Sequence, residues 1–180
     1  CMDNDDMRRG KLSTHRKFGE STAVLAGNSL LTLAFEILTD KKLKLSSKKK
    51  NILVSLISKS SGHSGIAGGQ FSDLSFERKR ISKSRIIDMQ IKKTGKLFSF
   101  CCSAPTIISG KKTDLNKFKI IGENIGLLFQ IADDLIDYQG KTSVAGKKTK
   151  KDDIIGKATL ISLLGYKNVI NYAEKIKEET

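Results

Sequence analysis

Phe129-Gln130-Ile131-Ala132-Asp133-Asp134-Leu135-Ile136-Asp137 is the most informative stretch of the 180 residues. Asp133 and Asp137 are four apart, so on a helix they share one face about a turn apart. Gln130 precedes Asp134 by four and joins that side. Like charges at this spacing repel, and an otherwise apolar helix carries them more readily when a cation lies between them. Hard oxygen ligands on one face suit Mg²⁺, which takes one or two carboxylates and fills its remaining positions with water and phosphate. The bland alternative is an acidic stripe that faces water.

Outward from this motif, Leu115 to Tyr138 carries Phe118, Ile121, Ile125, Leu128, Phe129, Ala132, Leu135 and Ile136 at helical spacing. That pattern predicts one long helix with these side chains as its buried face. Thr14 to Leu38 predicts another, with a broad buried face and Ser13 or Thr14 as N-cap. Lys48 to about Ser60 predicts a third, and Lys79 to Lys83 is a polar connection. Ser84 to Ile108 predicts a helix broken or bent near Gly95 or Pro105, the chain's single proline. Lys157 to Glu178 predicts the last. Gly62 to Gln70 holds four glycines, all within its first eight residues, which mark either a loop or a close helix approach. There is no strand alternation and no internal repeat. The fold class is all-α.

The net charge of +14 attracts anions of any kind, whether nucleic acid, anionic lipid or phosphorylated small molecules. Lysine clusters such as Lys48 to Lys50 also fit a merely solvated surface. Aromatic residues are few, with no Trp, and none interleave with basic residues as a single-strand binder requires. No nucleic-acid partner is expected. No window reaches the roughly 18 apolar residues of a membrane span. Cys101 and Cys102 lack the spacing of a zinc site or redox pair, and predict buried thiols in a reducing, cytoplasmic protein.

Two basic elements accompany the carboxylates. Arg8-Arg9 offers paired guanidinium forks that match phosphate oxygens. The loop Gln139 to Asp153 carries Lys147, Lys148, Lys150 and Lys151 just after the acidic helix. Carboxylates beside cations are what a metal–diphosphate site requires.

With these residues in place, the chain resembles the trans-isoprenyl diphosphate synthases, the farnesyl and geranylgeranyl diphosphate synthase group. Asp3-Asn4-Asp5-Asp6-Met7-Arg8-Arg9-Gly10-Lys11 resembles the stretch that closes the family's first aspartate-rich motif. Leu25 to Glu36, Gly68-Gly69-Gln70 with Asp73-Leu74, Lys93-Thr94-Gly95, Phe129 to Asp137 and Gly156-Lys157-Ala158-Thr159 follow in the family's order. The resemblance covers nearly the whole chain and implies a helical bundle around a central cavity.

It also implies roles. Asp133 and Asp137 would bind Mg²⁺ with Asp134 alongside, and Asp3 would face them across the cavity. Arg8 would hold an allylic diphosphate and Arg9 isopentenyl diphosphate. Lys93 and Lys147 would grip the departing pyrophosphate, and Thr94 and Gln130 would lie beside the allylic cation. A homodimer is implied by the same resemblance. His15 reads as structural, and Gln70 and Asp73 as either cavity-lining or packing residues. Arg78, Lys79 and Arg80 read as surface.

The chain departs from the family in several places. Leu12 stands where the family usually has proline, which is expected to loosen the turn, and Asn28 where it has aspartate. The opening at Cys1 and the uncapped end predict a single catalytic domain, 1–180, that is incomplete on both sides. With half of the first motif upstream, weak turnover is expected of the isolated chain. The alternatives are a terpene cyclase or squalene-synthase-like enzyme on the same scaffold, a non-catalytic partner subunit, and, last, a basic nucleic-acid binder.

Overall fold

One proline in 180 residues leaves little to interrupt helices, and the computed structural model is built almost entirely of them. It describes residues 1 and 2, 5–140 and 156–180. Two short strands open the chain, β1 (Met7–Arg8) and β2 (Lys11–Leu12). They pair antiparallel with Met7 opposite Leu12 and Arg8 opposite Lys11. The turn between them is Arg9-Gly10, with φ of 52° and 74°. Positive φ at both central residues matches the right-handed twist of a two-residue hairpin. The strand pair was not expected, and Leu12 sits in a paired hairpin rather than a loosened turn.

Helices α1 (Thr14–Phe18), α2 (Glu20–Thr39), α3 (Ser47–Ser61) and α4 (Ile66–Phe76) follow. The single helix expected over Thr14 to Leu38 is therefore two, parted at Gly19 (φ 88°). Ser13 occupies the cap position of α1, but its hydroxyl pairs with His15 Nδ1 at 3.1 Å and makes no cap bond. The broad buried face expected of α2 is not seen, since none of its residues is buried. By length and composition alone α2 is also apolar enough to cross a membrane, which corrects the reading that no window qualifies. A helix made to be covered by other protein has the same composition, so the pattern does not separate the two.

Beyond Ile81, α5 (Lys83–Gln90) runs into a π-helical turn (Ile91–Gly95) and then α6 (Lys96–Ser109). The expected break thus falls at the π turn, while Pro105 lies inside α6 without ending it. A 3₁₀ turn (Lys112–Asp114) leads into α7 (Leu115–Gln139). The predicted last helix is again two, α8 (Leu160–Leu164) and α9 (Tyr166–Glu179), separated at Gly165 (φ 79°). A capping box between Thr159 and Ser162 starts α8.

The core lies between α4, α5, α7, α8 and α9, where Phe76, Ile86, Met89, Leu127, Ile131, Leu160, Ile161, Val169 and Ile176 form one buried cluster. Leu53 and Ile57 of α3 and Ile107 of α6 are buried as well. The buried line along α7 is Gly122, Gly126, Leu127, Ile131, Asp134 and Asp137. This corrects the expected face: Phe118, Ile125 and Phe129 are 39%, 38% and 56% exposed. The cause is close packing on the π turn and α6. A Cβ added at Gly126 would lie 2.5 Å from Gly95 Cα, and one at Gly122 2.5 Å from Ser99 Cα. Absent side chains, not large ones, set that contact. The cysteine expectation also fails, because Cys101 is exposed and Cys102 half-buried.

Candidate active site

The π turn carries Lys93 and Thr94 and is held on two sides. On one side α4 comes so close that a Cβ at Gly69 would overlap the Lys93 backbone. This settles the open reading of the Gly62 to Gln70 stretch: Gly62 to Gly65 turn, while Gly69 lies in α4 and permits close approach. On the other side Gly95 faces Gly126 of α7. An extra residue in a helical turn redirects side chains, and π turns recur at functional sites for that reason.

One turn beyond Gly69, Asp73 lies 7% exposed. Its Oδ2 accepts from Lys93 Nζ at 2.6 Å, and Lys157 Nζ stands 4.0 Å from the same oxygen. One carboxylate thereby steadies two lysines that arrive from separate elements. A buried carboxylate requires such charge partners.

Thr94 faces α7. Its hydroxyl donates to Gln130 Oε1 at 3.2 Å, and Gln130 Nε2 donates to Asp134 Oδ1 at 2.9 Å. Gln90 of α5 reaches the other oxygen, with Nε2 to Asp134 Oδ2 at 3.1 Å. Asp134 and Asp137 are each 6% exposed, so this acidic run is not a stripe facing water. Asp133 is half-buried on the same helix.

Among the described residues, no three His, Cys, Asp or Glu side chains converge into a preformed metal cage. A Mg²⁺ ion that shares its shell with phosphate and water needs only one or two carboxylates. Asp133 and Asp137, four apart on α7, offer two carboxylates, the number such an ion requires.

Lys93, Thr94, Gln130 and Asp134 are therefore brought together, along with Asp73, Gln90 and Lys157. Arg8 and Arg9 sit exposed on the hairpin, and among the described residues neither guanidinium makes a hydrogen bond or ion pair. The hairpin is braced from below by Arg16 Nε donating to Asp6 Oδ1 at 2.6 Å. Asp3 and Lys147 lie outside the described residues. Gln90 and the second lysine of the Asp73 site, Lys157, were missed as site residues. Lys157 was legible only as part of a quoted block, and Gln90 only as a polar residue beside the buried Ile86 and Met89.

The polyprenyl synthetase family profile matches residues 1–179. The chain belongs to that family. Among curated relatives, it is 40% identical over 166 residues to farnesyl diphosphate synthase of Micrococcus luteus, covering 92% of this chain and 56% of that one. It is 38% identical over 183 residues to geranylgeranyl pyrophosphate synthase 4 of Arabidopsis thaliana, covering 99% and 49%. The chain thus spans about half the length of the relatives it matches. Among solved structures, geranyltransferase of Helicobacter pylori complexed with magnesium and isoprenyl diphosphate superposes with a TM-score of 0.88 at 32% identity, covering 98% and 58%. The FPP/GFPP synthase of Zymomonas mobilis superposes at 0.84 with 37% identity, covering 99% and 59%. The polyprenyl synthetase fold is all-α, as the helical periodicity predicts.

Proposed function

We propose that this polyprenyl synthetase chain supplies the second carboxylate helix, and the cations around it, of a short-chain trans-prenyl diphosphate synthase. The reaction joins isopentenyl diphosphate to an allylic diphosphate and releases pyrophosphate. The observation that carries the reading is the joined set on the π turn and α7, Lys93 on Asp73 and Thr94 on Gln130 on Asp134. The solved relative that holds magnesium and isoprenyl diphosphate supports it.

Asp133 and Asp137 would hold Mg²⁺, with Asp134 alongside and Asp3 opposite. The ion, when bound, supplies charge neutralisation for a diphosphate leaving group. Lys93 and Lys147 would supply ammonium donors to the negative charge that grows as the allylic C–O bond breaks and its electron pair leaves with pyrophosphate. Such preorganised cations act most strongly in the transition state. Thr94 Oγ and Gln130 Oε1 present oxygen lone pairs to the allylic cation. Arg8 would bind the allylic diphosphate and Arg9 isopentenyl diphosphate. The isopentenyl π electrons form the new C–C bond, and a proton passes to a pyrophosphate oxygen as the product double bond forms. No protein nucleophile takes part. A homodimer is the proposed assembly.

The test is product analysis of the full natural chain with labelled isopentenyl diphosphate, an allylic primer and Mg²⁺. A longer prenyl diphosphate that disappears with chelator is expected. Asp133→Ala and Lys93→Ala should each lower kcat by about 10²-fold or more. Folded protein that elongates no primer would overturn the reading and leave a cyclase or a silent partner subunit.

A further inference from the structure

Gln90 is the last residue of α5 and is 2% exposed, yet the proposed reaction gives it no role. A buried amide at the end of a helix needs a reason. Its Nε2 donates to Asp134 Oδ2 at 3.1 Å, opposite the Gln130 Nε2 that donates to Oδ1 at 2.9 Å. Each oxygen of Asp134 therefore receives an amide N–H. Gln90 Oε1 is buried and accepts no hydrogen bond among the described residues.

The carboxylate decides which way both amides point. A carboxylate only accepts, so turning either amide over would set oxygen against oxygen. With its Nε2 committed to Asp134, Gln130 can only present Oε1 to Thr94, whose hydroxyl donates to it at 3.2 Å. The result is a directed chain in which α5 and the π turn both donate toward Asp134 of α7. It stays directed while Asp134 is held between two donors, and Gln90 is the donor that comes from outside α7.

We propose that Gln90 is a positioning residue. It clamps Asp134 so that Gln130 keeps its amide oxygen toward Thr94, and thereby aligns the pair beside the allylic carbon. The catalytic consequence rests on the proposed function, whereas the hydrogen-bond chain stands on geometry alone.

The test compares three variants of the full natural chain. Gln90→Met removes the donor at similar volume, and kcat should fall about 10- to 100-fold with the KM values for both diphosphates within about twofold. Gln90→Glu sets two carboxylates face to face and should lose at least as much. Adding Asp134→Asn to Gln90→Glu should restore the protected Gln130 side-chain amide signal in ¹⁵N spectra, since the new amide accepts from Gln130 and donates to the new carboxylate. Gln90→Glu and the double variant differ by little volume, so misfolding of Gln90→Met leaves the comparison intact. Failure of the double variant to recover that signal, together with a matching loss of Mg²⁺–pyrophosphate affinity by calorimetry, would assign Asp134 to the metal and overturn the clamp. An unchanged kcat in Gln90→Met would do the same. Should the wild type elongate nothing, the function fails while the clamp is still decided by the Gln90 and Gln130 side-chain amide signals in ¹⁵N spectra. These should be shifted and protected in wild type and solvent-like in Asp134→Ala, and signals unaltered by that substitution would overturn the clamp.

Discussion

Asp73 carries the clearest electrostatic dependence on a single residue. Its carboxylate is buried, with Lys93 at 2.6 Å and Lys157 at 4.0 Å. Lys93→Met leaves that charge with only the longer contact, and stability should fall by about 2–3 kcal/mol, less than for a fully isolated pair. Urea denaturation measures it, and a neutral result would mean that Lys157 compensates completely. Adding Asp73→Asn should recover part of the loss, because no buried charge then remains to be paired. Cys101 offers a second residue-scale test. Partial burial of its sulfur, and then the neighbouring Cys102, push its thiol above the ordinary range. A raised pKa means less thiolate at a given pH, so alkylation by iodoacetamide at pH 8 should be slower than for free cysteine despite the exposed position. Faster alkylation would contradict that reading.

Among the elements, the π turn is fixed by glycines on the helices beside it. Gly69→Ala pushes α4 off the turn, and Gly126→Ala pushes α7 off Gly95, because in each case the added methyl meets backbone. Backbone cannot swing aside as a flexible side chain does, so each substitution should cost about 1–3 kcal/mol or more. Gly69→Ala should also separate Asp73 from Lys93 and so reduce pyrophosphate binding, whereas Gly126→Ala should disturb Thr94 and Gln130. Thermal melting gives the first effect and calorimetry with Mg²⁺–pyrophosphate the second. Thr159→Ala should cost α8 about 1 kcal/mol through its lost cap, and leave pyrophosphate affinity unchanged unless Lys157 moves with it.

The whole molecule combines a +14 charge with a long uncovered apolar helix. On α2, Leu25, Leu30 and Ile37 are 65%, 68% and 56% exposed. Exposed apolar side chains in this number on one helix bind hydrophobic dyes and promote association. The 180-residue chain should therefore take up ANS and sediment as mixed species, and the double variant Leu25→Glu, Leu30→Glu should reduce both. Unchanged dye uptake in that variant would place the apolar surface elsewhere.

The sequence by itself determined that the protein is helical, where α3 and α7 begin and end to within a residue or two, and that Asp133 and Asp137 share a face. Each follows from spacing within one segment, which the 3.6-residue repeat fixes locally. Tertiary structure alone decided which side of α7 is buried. Large apolar residues such as Phe118 and Phe129 pointed to one side, but the π turn and α6 pack where Gly126 and Gly122 let backbones approach. Periodicity records where large side chains lie and is silent about the distance a missing one permits. The site was divided the same way. Lys93, Thr94, Gln130 and Asp134 stood out as motifs, while Asp73 meets Lys93 across 20 positions and Gln90 meets Asp134 across 44. Local spacing holds no information about such pairs, because they form only when separately folded helices are packed together.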